Sequence, residues 1–332
     1  MNHTRRRFIG IVAAASALAL APVAARRAAA SVAPVIWQGT ALGADAELRL
    51  YHPDTAVAQR LIAQSLQELR RLEAIFSLYR DDSALSILNR QGFLENPPSD
   101  LLRLLSESRR YGELTAGMFD PTVQPLWQLY AEHFSQPGAS PDGPPPEAVA
   151  QALSRVSHAD VLLDGNRIEL RRPGMAITLN GIAQGYITDR VTDLLKRGGL
   201  ERALVDMGEI QGLDSRAAPQ PWRVGIADPR DPGRTLATAS MGNQALATSG
   251  GYGTAIDAAG QYTHLFNPRT GRARPPYLSV SVMAQSATMA DALSTAFSHM
   301  PLEATQEVVR ELGLRAWFVL PDGRVMLQGQ AA

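Results

Sequence analysis

Apolar residues recur every three or four positions through much of the first half of the chain, a spacing typical of helices with one buried face. The longest such stretch is opened by Pro53-Asp54-Thr55 and continues through the apolar positions between Ile62 and Phe76. Shorter stretches of the same kind predict helices over 83–90, 99–114 and 123–133. The first half of the chain is therefore expected to be rich in helices.

The second half contains short apolar or alternating runs bounded by turn residues, as β-strands do. Residues 161–170 predict a hairpin that turns at Asp164-Gly165-Asn166, and 176–179 predict a strand running into a helix from Gly181 to about Arg197. Residues 35–51 alternate loosely and predict a strand before the helices. Further strands are expected at 203–206, 222–226, 235–241, 244–248 and 278–284, then helices at 289–299 and 303–312, and a last hairpin turning at 321–323. This order predicts an α+β fold with mixed sheets flanked by helices, as one large domain or two tightly coupled lobes.

Residues 1–30 have the composition of an export signal. Thr4-Arg5-Arg6-Arg7-Phe8-Ile9 is followed by a short apolar run and then by small residues that end near Ala30. Paired arginines before Phe-Ile are typical of a twin-arginine signal, and an ordinary secretory signal is the alternative. Either way, we expect residues 31–332 to function in the periplasm as a soluble protein after cleavage.

A proline-rich segment, residues 136–146, separates the helical half from the strands. Clusters of Pro, Gly, Ser and Asp of this kind predict a surface loop. The loop marks either a domain boundary or a long insertion within one domain.

Composition excludes several functional classes. After residue 30 the chain has 27 basic and 32 acidic residues, which argues against a nucleic-acid binder that neutralises phosphates. The chain has no cysteine, which excludes disulfides, thiolate metal sites and a cysteine nucleophile. Lys196 is the only lysine, so Schiff-base chemistry has almost no candidate.

Two segments place polar or small residues immediately before a predicted helix. Asp120 precedes a proline and could cap the following helix, which alone would explain its presence. The segment 178–186 joins a strand to a helix through Gly181, and the unpaired N–H groups of a helix start suit a phosphate. A tight strand–helix connection is the alternative interpretation of this second segment.

Two later segments carry hydroxyl, imidazole and carboxylate groups. The hydroxyls and glycine amides of 247–252 could line an anion site, and His264 follows in a polar segment. Asp291 and Thr295 lie four residues apart on one helix face, which provides half of a site for a hard cation. Alternatively, Thr288 and Asp291 form a capping pair, and His264 is a structural histidine.

Taken together and in this order, these segments resemble the ApbE family of FAD:protein FMN transferases over about residues 40–300. The resemblance is carried by Phe76–Ser83 with Asn89, Phe119–Val123, Gly181–Tyr186, Ala247–Gly250, His264–Gly271 and Ala290–Thr295. It implies transfer of the FMN half of FAD to a threonine or serine hydroxyl of a redox protein, with release of AMP.

The resemblance also implies a set of site residues. Mg²⁺ would be held by Asp291, Thr295 and the main-chain carbonyl of Gly181, with His264 near the reacting phosphate as a candidate base. Asp291 is thus expected to be both a metal ligand and essential for catalysis. FAD would lie along Leu42, Tyr79, Met118, Phe119, Asp120, Thr178, Gln184, Leu265 and Ser294.

The chain departs from the family pattern near the flavin. Gln184 stands where lysine is usual, and Thr178 and Asn267 stand where aspartate is common. Glu209 likewise replaces an aspartate, and Leu42 replaces a methionine. These changes concern FAD affinity and rate more than the metal ligands.

Two other activities would use the same site. With water as the acceptor, the protein would be an FAD pyrophosphatase that yields FMN and AMP; with chemistry lost, it would be an exported FAD carrier. Export without a lipid-anchoring cysteine resembles the branch that flavinylates the membrane regulator of nitrous-oxide respiration. Subunits of sodium-pumping quinone reductases are the other acceptors that the family suggests.

Overall fold

The computed structural model describes residues 32–330 except residue 218. The predicted export signal lies outside the described residues. No helix among residues 32–330 combines the length and the apolar character that crossing a membrane requires.

Thirteen strands form three sheets in the described part of the chain. The strands are β1 (Val35–Ala41), β2 (Ala44–Tyr51), β3 (Phe93–Glu95), β4 (Val161–Asp164), β5 (Arg167–Leu170), β6 (Arg202–Asp206), β7 (Ile210–Asp214), β8 (Trp222–Asp228), β9 (Asp231–Met241), β10 (Ala245–Gly250), β11 (Ser279–Ala284), β12 (Arg315–Val319) and β13 (Val325–Gln328). The main sheet has the order β1-β2-β6-β7-β10-β11-β12-β13, and smaller sheets are formed by β3-β5-β4 and by β8-β9.

Eight α-helices accompany these strands in the same part of the chain. They are α1 (Thr55–Phe76), α2 (Ala84–Gln91), α3 (Ser99–Leu114), α4 (Gln124–Ser135), α5 (Pro146–Leu153), α6 (Ala183–Arg197), α7 (Ala287–Phe297) and α8 (Leu302–Glu311). Helix α7 packs on β10, β11 and α6, and α6 packs in turn on α1. The α+β prediction is therefore confirmed.

The main sheet buries both of its faces, because successive side chains of a strand point to opposite sides. Val205 belongs to the large core between the sheet and the helices, whereas its neighbour Leu204 belongs to a second core on the opposite face. Trp222 and Met241 of the β8–β9 ribbon cover that second core. A third, smaller core joins α4 and α5 to the segment 262–273. The sheet is thus held between the helices and a two-stranded ribbon.

The prediction of mixed sheets was wrong, because every strand pair in the described residues is antiparallel. Residues 35–51 form a hairpin rather than one strand, and its turn is made by Leu42 (φ 46°) and Gly43 (φ 83°). Antiparallel neighbours joined by such short turns need no crossover helix.

The predicted strand 176–179 belongs to no sheet. The Thr178 N–H donates to the Pro121 carbonyl, and Ile177 is bonded by a side chain. The Ile177 N–H donates to Asn89 Oδ1 at 2.7 Å, and Asn89 Nδ2 donates to the Ile177 carbonyl at 2.8 Å. One amide side chain thus replaces a neighbouring strand at this position.

Candidate active site

The candidate site lies where the start of α6 meets α7. Gly185 of α6 comes so close to α7 that an added Cβ would lie 2.3 Å from the carbonyl oxygen of Ala287 and 2.8 Å from Asp291 Cβ. At this approach the Gly185 N–H donates to Asp291 Oδ2 at 2.9 Å. The buried carboxylate of Asp291 is therefore held by the backbone of the neighbouring helix.

Thr295 lies one turn after Asp291 on α7 and faces the segment that enters α6. A Cβ added to Gly181 would lie 2.8 Å from Thr295 Oγ1. On its other side, Thr295 Oγ1 is 3.2 Å from Ser249 Oγ, which also lies 2.8 Å from Ser294 Oγ. The structure thus brings together the three residues expected to hold a metal, with Ser249 of β10 beside them.

Two buried carboxyl groups lie in the site, where burial disfavours their charged forms. Burial, together with the negative charge of the neighbouring Asp189, raises the pKa of Asp291 to about 7. Burial raises the pKa of Glu209 well above its usual value, and the charge of Asp291 adds to this. The hydrogen bonds that favour ionisation come from the backbone N–H groups of Gly185 and Thr248, which carry no full charge. A cation at this place would lower the free energy of both carboxylates.

The chemistry of these donors suits a hard cation whose coordination is completed by other oxygens. No group of three or more His, Asp or Glu side chains with metal-binding geometry occurs among the described residues. Asp291 and Thr295 supply a carboxylate and a hydroxyl, so main-chain or ligand oxygens would have to complete an octahedron. That arrangement is the one expected for Mg²⁺ bound together with a phosphate-bearing substrate.

Asp120 is buried and has hydrogen-bond partners on both carboxylate oxygens. Its Oδ1 accepts from the Thr122 N–H at 2.8 Å and caps a short 3₁₀ turn, which confirms the capping interpretation. Its Oδ2 accepts from the His158 N–H at 2.8 Å and lies 3.1 Å from His158 Nδ1. The Thr178 N–H donates to the Pro121 carbonyl at 2.8 Å, so two of the expected flavin contacts lie on adjoining segments.

Leu42 and Tyr79 both lie near the end of α1. The Leu42 N–H donates to Glu73 Oε1 at 2.9 Å, which ties the β1–β2 turn to the last turn of α1. Tyr79 follows three residues after α1 and is 82% exposed. An exposed aromatic ring beside a fixed turn is suited to stack on a planar ligand.

The other expected flavin contacts differ in accessibility. Met118 and Gln184 are partly exposed, whereas Phe119, Leu265 and Ser294 are buried, so these three face the protein interior. The Gln184 side chain lies against Gly208, where an added Cβ would be 2.5 Å from its Nε2. Contacts from the buried residues to a ligand stay predictions.

His264 is partly exposed in a hairpin-like segment that follows β10. Its N–H donates to the Thr254 carbonyl at 3.2 Å, and its Nδ1 lies 3.3 Å from the same oxygen. The next residue, Leu265, has its carbonyl 3.0 Å from His299 Nε2, just beyond the end of α7. The segment is therefore anchored beside the helix that carries Asp291.

Three interpretations made from the sequence need correction. Ser286, not Thr288, caps α7, because its Oγ accepts from the Met289 N–H at 3.2 Å, while Asp291 bonds to α6. Helix α6 begins at Ala183 rather than at Gly181, and the Gly185 N–H is already bonded to Asp291. The amides of this helix start are therefore not all free for a phosphate.

The third correction concerns the expected anion site at 247–252. Thr248 Oγ1 lies 2.8 Å from Ser281 Oγ, and the Thr248 N–H donates to Glu209 Oε2 at 3.2 Å. Ser249 bonds to the hydroxyls of α7. Both hydroxyls are thus used between strands and helix.

Sequence reasoning missed Asp189 and His158, whose side chains bond to residues distant in the chain. Asp189 lies one turn after Gly185 and bonds to the start of α7. The sequence offered only its spacing, four residues after Gly185 in the predicted helix. His158 had no comparable signal, because its partner Asp120 is 38 residues away.

Comparison with known proteins identifies consistent relatives. The model of the ApbE family matches residues 42–318. An FAD:protein FMN transferase of Treponema pallidum is 33% identical over 279 residues, which cover 77% of this chain and 76% of the relative. One from Klebsiella pneumoniae is 29% identical over 307 residues, covering 89% and 86% respectively.

Solved structures agree with these relatives. The ApbE protein of Thermotoga maritima superposes with a TM-score of 0.76 at 27% identity, covering 89% of this chain and 97% of its own. The flavin transferase ApbE of Vibrio cholerae superposes with a TM-score of 0.74 at 26% identity, with the same coverage.

Proposed function

Because the chain belongs to the ApbE family, we propose that it transfers the FMN half of FAD to a threonine or serine hydroxyl of a target protein. The observation that supports this best is the meeting of Gly181, Asp291 and Thr295 at the α6–α7 contact. There, buried carboxylates lie beside hydroxyls in a place suited to a cation and a pyrophosphate.

Mg²⁺ is the proposed metal, with Asp291 and Thr295 as side-chain ligands and the Gly181 carbonyl as a main-chain ligand. When bound, it would neutralise charge that spreads over the phosphoryl oxygens during transfer. The protein contributes alignment, since Gly185 fixes the Asp291 carboxylate and Ser249 contacts Thr295. Alignment and charge neutralisation are the main needs of phosphoryl transfer.

The proposed reaction balances as a displacement at phosphorus. The acceptor oxygen forms a bond to the phosphorus of the FMN half, the anhydride P–O bond breaks, and AMP leaves with the bonding electrons. The hydroxyl proton passes to a base, for which His264 or a carboxylate near the site is the candidate.

We further propose that the acceptor is a periplasmic or membrane redox protein. The support is the signal-like composition of residues 1–30, which would deliver the protein outside the cytoplasm by the twin-arginine route. A regulator of nitrous-oxide respiration or a quinone reductase subunit would meet this description.

The test uses residues 31–332 incubated with FAD, Mg²⁺ and a flavin-accepting domain, followed by intact mass and AMP measurement. FMN on a hydroxyl of the acceptor is the expected product. FMN and AMP free in solution would instead identify a pyrophosphatase, and intact bound FAD without turnover would identify a carrier.

Asp291→Asn provides the matched test of the site. Asparagine keeps the size of the side chain and an oxygen that can accept from Gly185, but it removes the charge, so the fold should persist. We expect transfer to fall by about 100-fold. Asp193→Asn, the same change at an exposed position of α6, is the control and should transfer at the wild-type rate. Equal rates in the two variants would remove Asp291 from the site.

A further inference from the structure

Helices α6 and α7 meet in an antiparallel register with three regularly spaced contacts. Residue 181, just before α6, and residues 185 and 189 within it follow one another at intervals of four, and they face residues 295, 291 and 288 in reverse order. The first two contacts involve the proposed metal ligands. The third is made by Asp189, whose carboxylate has no part in the proposed chemistry.

Asp189 binds the start of α7 through both carboxylate oxygens. Its Oδ1 accepts from the Ala287 N–H at 2.8 Å, and its Oδ2 accepts from the Thr288 N–H at 2.8 Å and from Thr288 Oγ1 at 2.5 Å. Free N–H groups and the positive end of the helix dipole favour a carboxylate at this place. Three donors on one carboxylate fix α7 in position and direction.

The local need for a cap does not explain this arrangement. Ser286 already caps α7 from within the same segment, through the Met289 N–H. Asp189 belongs to the other helix and is partly buried, and desolvation raises its pKa above the usual value of aspartate. Removing a carboxylate from water costs free energy. In return Asp189 links α6 to α7, which Ser286, within the α7 segment itself, cannot do.

We propose that Asp189 is a positioning residue that fixes the axial register of α7 on α6, and through it the places of Asp291 and Thr295 beside Gly181. A slip of one residue along a helix moves its side chains by about 1.5 Å and turns them away, which is enough to separate the ligands. The inference rests on the proposed metal-dependent transfer.

The experiment compares two variants that each remove one cap of α7. Asp189→Asn weakens the link between the helices, because an amide keeps one acceptor oxygen and turns an NH₂ toward the remaining N–H group of α7. Ser286→Ala removes the local cap and leaves the link intact. Binding of Mg²⁺ alone is measured by titration calorimetry, together with urea unfolding and FMN transfer.

Both variants are expected to lose stability, Asp189→Asn the more because its carboxylate accepts three bonds, but only Asp189→Asn should weaken Mg²⁺ binding, by about tenfold, as changes to residues that orient metal ligands do. Thr288→Val removes one of the three donors, keeps the side-chain shape and leaves the Asp189 charge that acts on Asp291 in place, and it should weaken Mg²⁺ binding in the same direction by less. The Mg²⁺ affinity of Thr288→Val tests the inference if Asp189→Asn fails to fold.

Equal Mg²⁺ affinity in the Asp189→Asn and Ser286→Ala variants would overturn the inference, whether both bind like the wild type or both bind more weakly. A wild-type protein that binds no Mg²⁺ would overturn it as well. A wild type that binds Mg²⁺ but transfers no FMN would refute the proposed function alone, since the comparison of affinities would still stand.

Discussion

The contact between α6 and α7 depends on the missing side chain of Gly185, and Gly185→Ala tests it directly. An alanine Cβ would lie 2.3 Å from the Ala287 carbonyl oxygen, where ordinary contacts begin at 3.4 Å. The nearest atoms belong to the backbone of α7 and to Asp291 Cβ, and none of them is the end of a flexible side chain. The two helices would therefore have to move apart.

The cost can be estimated from the interactions that change. Overpacking of this kind costs about 1–3 kcal/mol. Weakening the Gly185 N–H bond to the Asp291 carboxylate adds up to about 1.5–3 kcal/mol. Alanine recovers about 1 kcal/mol, because it favours a helix more than glycine does. We expect a net loss of about 1.5–5 kcal/mol in the free energy of unfolding.

Urea unfolding measures the stability, and FMN transfer to an acceptor domain measures the function. A shift of about 1 Å at the reacting groups can lower the rate by about 100-fold, so activity should fall under conditions where the variant is still folded. Gly242→Ala is the control, because nothing lies within 4 Å of its added Cβ. A Gly185→Ala protein with wild-type stability and transfer rate would refute the idea that this close contact organises the site.

Three further predictions concern the surroundings of the site. The hydrogen bond to Asp120 raises the pKa of His158 above its usual 6.5. Protonated His158 therefore stabilises the folded protein fully below pH 6.5, and this contribution is lost as the pH rises through the raised pKa. The stability difference between wild type and His158→Gln should shrink over that range in urea titrations at a series of pH values, and a difference that grows with pH would contradict the assignment. Asn89→Ala should destabilise the protein by about 2–4 kcal/mol, because it leaves the buried N–H and carbonyl of Ile177 without partners; a loss below about 1 kcal/mol would argue against this role of Asn89. Gln184→Lys should lower the KM for FAD, because it adds a positive charge at a proposed contact with an anionic dinucleotide; an unchanged or higher KM would show that the glutamine is not limiting.

Elements whose signals are local were predictable from the sequence. Helix α3 has the predicted bounds Ser99–Leu114, and the hairpin at Asp164-Gly165 turns where expected. Both depend on periodicity or turn residues within a few positions. The β1–β2 turn was missed because Leu42, an apolar residue that rarely adopts positive φ, continues the alternating pattern through the turn.

Elements that depend on distant partners could not be read from local patterns. Strand β7 was missed, and so was helix α5, which begins directly after the proline-rich loop at Pro146. Segment 176–179 has the composition of a strand, but its partner is the side chain of Asn89, 88 residues away from Ile177. The predicted strand is therefore wrong, and composition gave no information on what would bond to this segment.

The glycines of the site were identified correctly from the sequence, but the reason given for their presence was incomplete. Gly181 and the helix start were interpreted as a turn that exposes N–H groups to a phosphate. Neither Gly181 nor Gly185 has a backbone conformation reserved for glycine, and both are needed because a Cβ would meet α7. The partner of the Gly185 N–H is Asp291, 106 residues further along the chain. The glycines of this motif therefore allow two helices to approach closely. The Gly185 N–H, near the start of α6, binds the Asp291 carboxylate and is not free for a phosphate.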